Sequence, residues 1–401
     1  MKTQGLQENI GQFSLLVLLT AFVGAMVGLE RSIFPAFAEQ SFGIASTTAM
    51  LSFIIAFGIA KAITNYYTGR LANLFGRKKL LVIGWIIALP VPILLIYAQQ
   101  WWLIVVANIL LGVGQGLCWS STVVMKIDLV GEKNRGLAMG LNEFAGYLAV
   151  GLAAWYSSYI AAHYSIQPYV FYIGIFLAVA GLLITLFFIK DTQHFVNSES
   201  KQSSTPLLKK VFTETSFFHR DLSSITQAGL VNNLNDGMIW GLLPLLLAQS
   251  SLAMDQIAIV TAAYPIVWGV SQLFTGKLAD HFHVRPILFW GMFVQGLGII
   301  ALLFTKQYFM YLSIAVLLGI GTALVYPTFL TSVALYTHPT QRAASLGVFR
   351  FWRDLGYAIG ALISGIVADC FGLTSAIGLI GLLTLLSALI LRLRMSAPLN
   401  A

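Results

Sequence analysis

Apolar runs of about twenty residues recur along this chain from end to end. A run of that length is what an α-helix needs to cross ~30 Å of hydrocarbon. Twelve such spans are read, at 13–34, 45–68, 80–98, 102–125, 137–160, 169–189, 223–247, 255–275, 287–304, 308–336, 343–367 and 373–391. Only 9% of the residues are charged and 58% are hydrophobic, too little charge to cover the surface of a soluble domain. The predicted fold class is therefore an all-α, polytopic membrane protein. The first span runs on into GLERSIFP, past the ~7–15-residue apolar core of a cleavable leader, and reads as a retained helix. The two cysteines, Cys118 and Cys370, fall in or beside different spans, so no disulfide framework is expected.

Threading twelve spans through a bilayer puts most of the 23 Lys and Arg residues on one face. Arg31 and Lys306 lie near the other face, and Lys61, Arg350 and Arg353 lie within spans. This bias predicts that both termini are cytoplasmic, in a cell membrane, with a bacterial inner membrane as the expected setting. The net charge of +8 is then an orientation device, and no nucleic-acid partner is expected.

The chain also repeats itself. GRLANLFGRKK begins at Gly69 and GKLADHFHVRP at Gly276, 207 residues later. The same offset joins Gly112 to Gly319 and Arg135 to Arg342. Each half holds six spans, so the repeats are parallel. The division expected is a six-helix bundle over 1–190, a polar cytoplasmic linker over 191–220 with a surface helix near Leu207–Phe212, and a second bundle over 221–401.

With this plan, the loop sequence GRLANLFGRKK resembles the major facilitator superfamily pattern Gly-x-Leu-Ala-Asp-Arg-x-Gly-Arg-Lys. Gly69, Leu71, Ala72, Gly76, Arg77 and Lys78 match, while Asn73 and Leu74 stand where the family has Asp and Arg. The second copy keeps Asp280 but has His283 and Val284 at the later Gly and Arg positions. The resemblance implies the twelve-helix major facilitator fold, with a charge network latching one transport state. In this chain that network falls to Arg77 and Asp128, with Gly69, Asn73 and Asp280 in the latch loops. The resemblance names no substrate, since one fold serves many functions.

Ionisable residues within spans avoid the third, sixth, ninth and twelfth, the outer helices of the family fold. They sit instead at Glu30 and Arg31, Lys61, Glu143, Asp236, and Arg350, Arg353 and Asp354. A charge facing lipid costs about 2.5–3.5 kcal/mol even on lenient scales, so these residues are expected to face water or one another. Arg350, Arg353, Asp354 and Tyr357 are spaced as one helical stripe, with Gly356 and Gly360 on a packing face. Arg350 and Asp354 are placed to pair at i, i+4. The offset pairs Arg350 with Glu143 and Asp354 with Tyr147. Lys61 and Asp354 are predicted to pair across the seam between the halves.

Span seven reads LVNNLNDGMIWGLLP, with Asn232, Asn235, Asp236 and Trp240 as a ligand-orienting face. Span four adds Asn108, Gln115, Trp119, Thr122 and Lys126 at helical spacing. Cavity candidates are therefore Asn108, Gln115, Trp119, Asn232, Asn235, Trp240, Arg350, Arg353 and Tyr357. Proton-coupling candidates are Asp236, Asp354 and Glu143, and Glu30 with Arg31 forms a local pair or an outer gate. Many proton-coupled drug exporters of the family carry Arg where Asn108 stands and Gly-Pro in span five, which here reads GLNEFAGYLAVG. Both departures count against a drug antiporter.

The pair His281 and His283 has no supporting ligand set, so no metal is expected. Without a Gly-x4-Gly-Lys-Ser/Thr loop, no nucleotide cofactor is expected either. The reading is a monomeric, proton-gradient-driven transporter of a small organic solute, anionic by preference, rather than an enzyme. An uncoupled facilitator, a drug or metabolite exporter, and a transporter-fold sensor or scaffold stay open.

Overall fold

A computed structural model describes residues 5–130, 135–192, 207–276, 278 and 282–396. Twelve long helical stretches follow one another. They are α1 (Ile10–Arg31), α2 (Ser52–Phe75), α3 (Arg77–Ile96), α4 (Trp101–Val130), α5 (Arg135–His163), α6 (Phe171–Phe188), α7 (Arg220–Gln249), α8 (Met254–Thr275), α9 (Val284–Ala301), α10 (Tyr308–Leu335), α11 (Pro339–Phe371) and α12 (Leu373–Arg394). Among the described residues, nine are long and apolar enough to cross a membrane by composition alone. The other three, α2, α5 and α7, are diluted by interior polar residues such as Lys61, Asn65, Asn142, Glu143 and the Asn232–Asp236 group, all of them buried.

Several boundaries differ from the sequence reading. The first span stops at Arg31 and the chain continues as a short helix, Phe34–Phe42, with Pro35 in its first turn and Gly43 closing it at φ 63. A second short helix, Thr47–Met50, leads into α2. α3 is stepped near Pro90, whose missing N–H cannot continue the ladder. Between α2 and α3 the whole reversal is one residue, Gly76, at φ 83, a conformation that disfavours any side chain. In place of the expected surface helix, helical turns occupy Val211–Thr213 and Glu214–Phe218.

The first six helices pack on one another chiefly through α1 with α5, α2 with α4, and α3 with α4. The last six pack through α7 with α11, α8 with α10, and α9 with α10 and α12. Gly356 and Gly360 of α11 let α7 approach closely: a Cβ on either would lie 2.3 Å from the Leu230 or Leu234 carbonyl oxygen. The two groups meet along two lines, α2 against α11 and α5 against α8. α3, α6, α9 and α12 turn residues such as Ile86, Phe176, Trp290 and Leu386 outward, so the apolar surface lies outside and the polar residues gather at the seam.

Candidate substrate site at the seam

On the α2–α11 side of the seam, Asp354 is the point where charges converge. Lys61 Nζ lies 3.4 Å from its Oδ1 and Arg353 Nη1 lies 3.5 Å from the same oxygen. Asn65 donates to Oδ2. Asn65 accepts in turn from Ser120 Oγ at 2.7 Å, and Arg350 donates to that serine at 3.3 Å. Arg350 is therefore not the intrahelical partner of Asp354 that its spacing offered; it reaches across to α4. Arg353 is 2% exposed, with its guanidinium 4.1 Å above the Tyr326 ring. Its Nε and Nη2 have no hydrogen-bond partner among the described residues.

On the α5–α8 side, rings replace charges. Tyr147 stacks on Trp268 with centroids 3.5 Å apart and planes 26° from parallel. Trp119 flanks Tyr147 at 5.5 Å, and Tyr326 meets Trp268 edge-on at 6.3 Å. By the 207-residue offset, Trp268 is the repeat mate of Lys61, Tyr147 of Asp354, and Tyr326 of Trp119. An ion pair on one side of the pseudo-twofold axis thus answers to a ring stack on the other. Between the walls lies a cavity of about 20 Å³, room for about one water. Its charged lining is three cations, Lys61, Arg350 and Arg353, against one carboxylate, Asp354.

Glu143 joins this site through Trp119, whose Nε1 donates to Oε1 at 3.3 Å. Asn142 donates to the same oxygen at 2.8 Å, while its own Oδ1 accepts from Lys126 Nζ at 2.5 Å. The amide bridges a buried ammonium to a buried carboxylate, each end matched to its charge. Lys126 also donates to Thr20 of α1 at 2.8 Å and is fully buried. It therefore belongs to the interior rather than to the basic face where the sequence thread put it.

Other candidates lie away from the cavity. Glu30 and Arg31 are each 1% exposed, because the chain passes straight into the helix Phe34–Phe42, whose Phe34 and Phe37 are buried. They turn to different neighbours. Asn108 donates to Glu30 Oε2 at 3.0 Å, which takes that amide out of the cavity. Arg31 lies 4.5 Å above the Phe57 ring, with both terminal nitrogens unpartnered among the described residues. Tyr357 sits between Arg31 and Lys61, its ring 6.0 and 5.3 Å from their charged groups.

Asn232 and Asn235 face away from the seam. They donate to Gln295 of α9 at 2.9 and 3.3 Å, and Asn235 accepts from Thr384 of α12 at 2.6 Å. Asp236 instead accepts from Tyr264, whose hydroxyl is 3.1 Å from Thr322, and Trp240 packs on Tyr264 at 6.0 Å. Gln115 borders a separate small cavity among Val23, Met26 and Trp85.

Two links tie helix ends. Arg77 Nε lies 3.2 Å from Asp128, which also accepts from Thr192 at 2.8 Å. Arg77 and Asp128 belong to the first group of helices and Thr192 to the segment just after it, so this link clamps α3, α4 and that segment without crossing the seam. Asp280 and residues 193–206 of the linker lie outside the described residues, as do the surroundings of Gly69 and the side chain of Asn73. The second link does cross the seam and went unread in the sequence. Asp369, near the end of α11, accepts from Thr47 N at 2.6 Å, Thr48 N at 3.0 Å and Ser46 Oγ at 2.9 Å. It caps the helix Thr47–Met50 at the face away from both chain ends.

Two packed groups of membrane helices with charges and rings gathered at their seam define a secondary transporter. The chain belongs to the Major Facilitator Superfamily, whose description matches residues 16–226 and again 225–400. Among curated relatives, it is 24% identical over 359 residues to the multidrug resistance protein MdtG of Salmonella arizonae, covering 87% of this chain and 86% of that one. It is 23% identical over 368 residues to the proton-coupled antiporter flippase LtaA of Staphylococcus saprophyticus, covering 88% and 86%. The crystal structure of the human organic anion transporter MFSD10 (TETRAN) superposes with a TM-score of 0.71 over 95% of this chain and 98% of that one, at 15% identity. That last likeness is one of fold.

Proposed function

We propose that this protein is a proton-coupled carrier of a small organic anion, moving it by alternating exposure of the seam cavity. In this reading residues 1–190 and 221–401 are the two rocking bodies, joined by 191–220. The protein acts as a monomer in a bacterial cell membrane with both termini cytoplasmic. The observation that carries the proposal is the cavity's charge: Lys61, Arg350 and Arg353 face one carboxylate, and Arg353 keeps two unpartnered N–H groups. Guanidinium groups bind carboxylates and phosphates with two parallel hydrogen bonds. The lining's three cations favour an anion there, while Glu143, hydrogen-bonded to Trp119, and Asp236 supply buried negative charge outside it. Proton coupling rests on Asp354, Asp236 and Glu143, of which Asp236 and Glu143 each keep an unpartnered carboxylate oxygen among the described residues, and on the relative described as a proton-coupled antiporter.

Export of an amphiphilic acid is a second form of this reading, compatible with a relative described as a multidrug resistance protein, and the cation-lined cavity argues against cationic drugs. The test uses proteoliposomes loaded with a pH dye under an imposed pH gradient, given pooled organic anions and, separately, pooled organic cations. Anion pools are expected to drive proton movement in the wild type, with the response lost in Asp354→Asn or Asp236→Asn. Proton movement with cation pools alone would contradict the proposal.

A further inference from the structure

We infer that the solute bound at the seam is a planar aromatic acid, an inference that rests on the anion reading above and narrows it. The carboxylate end is argued from Arg353. Its Nη1 is engaged by Asp354 at 3.5 Å, while Nε and Nη2, the two nitrogens that share one edge of the guanidinium, are buried and unpartnered. That edge matches the two oxygens of a carboxylate, so one acid can satisfy both donors at once. The Asp354 pair holds the fork in place, and Tyr326 supports its plane from 4.1 Å.

The ring end is argued from the opposite wall. Starting at Arg353, the next groups are Tyr326, then Trp268 at 6.3 Å from it, then Tyr147 stacked at 3.5 Å. Tyr147 belongs to α5 and Trp268 to α8, so this stack is made across the seam. In the closed arrangement each ring covers the other's face. When α5 and α8 part, two facing aromatic planes are uncovered at the same moment, and a flat conjugated ring restores both contacts. An aliphatic body restores area but not the ring-to-ring geometry, which adds to an aromatic pair beyond burial alone. The stack occupies the positions that hold Lys61 and Asp354 on the other side, so the duplicated site has become charged on one wall and aromatic on the other. Such a site fits a molecule with one charged edge and one flat face.

The experiment follows thermal unfolding of the purified full-length protein in detergent, titrated with benzoate, 2-naphthoate, cyclohexanecarboxylate or benzylammonium. Benzoate and cyclohexanecarboxylate carry the same charge and carbon count, so their comparison isolates the flat ring. A saturable rise in the unfolding midpoint is expected with the two aromatic acids. Cyclohexanecarboxylate should need about tenfold higher concentration, and benzylammonium should give no rise. Arg353→Gln should remove the response to every acid. Trp268→Leu should bring benzoate down to the level of cyclohexanecarboxylate, whereas Trp268→Phe, the better-tolerated variant, should keep the preference. Equal half-effects for benzoate and cyclohexanecarboxylate on the wild type would overturn the aromatic inference and leave the anion reading standing. A response to benzylammonium, or none to any acid, would overturn both.

Discussion

At Asp354 a single carboxylate pairs with both Lys61 from the facing helix and Arg353 from its own, and Asn65 fixes its orientation. Breaking a buried pair by removing one member costs about 3–5 kcal/mol, because the other charge is left buried and alone. Asp354→Asn is therefore expected to lower the unfolding midpoint more than the double variant Lys61→Met/Asp354→Asn, in which the stranded ammonium is gone. Thermal unfolding of both, with Lys61→Met alone to complete the cycle, checks this in detergent, and additive losses would show that the two residues do not interact. Charges standing in an otherwise apolar run can be read at this scale, and Lys61, Asp354 and Arg353 are such charges. Their ring counterparts cannot be read this way. Tyr147 and Trp268 sit in apolar helices where aromatic residues are ordinary core, and only their meeting across the seam sets them apart. The 207-residue offset carries the available signal: it leads from Asp354 to Tyr147, and applied to Lys61 as well it points to Trp268.

α7 shows why a polar stripe is an incomplete guide. Most of the helix is buried, so Asn232 and Asn235 bond Gln295 and Thr384 within the last six helices, while Asp236 meets Tyr264. Periodicity gives the face that is polar but not the neighbour it meets. Asp369 shows the opposite case, a charge near a helix end that sequence reading passes over as a loop residue. Its three hydrogen bonds to Ser46, Thr47 and Thr48 hold the α2–α11 seam closed at the face away from the chain ends. Removing them with Asp369→Ala is expected to favour opening at that face by roughly fivefold, the scale of losing one helix cap. The check is maleimide labelling of Ser120→Cys from that face, in a Cys370→Ser background that removes the exposed native thiol while Cys118 stays buried. An unchanged labelling rate would mean that Asp369 only stabilises the short helix.

Across the whole molecule, the two contact lines between the halves differ in kind. One is bridged by ions and hydrogen bonds at Lys61, Asn65, Asp354 and Asp369, the other by the Tyr147–Trp268 stack. Directional polar contacts break within a short displacement, while stacked rings can slide or admit a third ring. Rocking that parts α2 from α11 would thus exchange ion pairs for water or a bound anion. The plan of helices was legible because bilayer thickness dictates span length and lipid excludes charge. The closed seam was not, since it depends on which side chains meet once both halves are folded. The most direct measurement is reaction of Ser120→Cys, in the Cys370→Ser protein reconstituted in liposomes, with a membrane-impermeant maleimide applied from each face in turn. Ser120 lines the cavity and is 5% exposed. Alternating access predicts labelling from both faces, with the ratio of the two rates shifting when pH is changed. Labelling from neither face, or from one face at every pH, would contradict the account and leave the seam as static core.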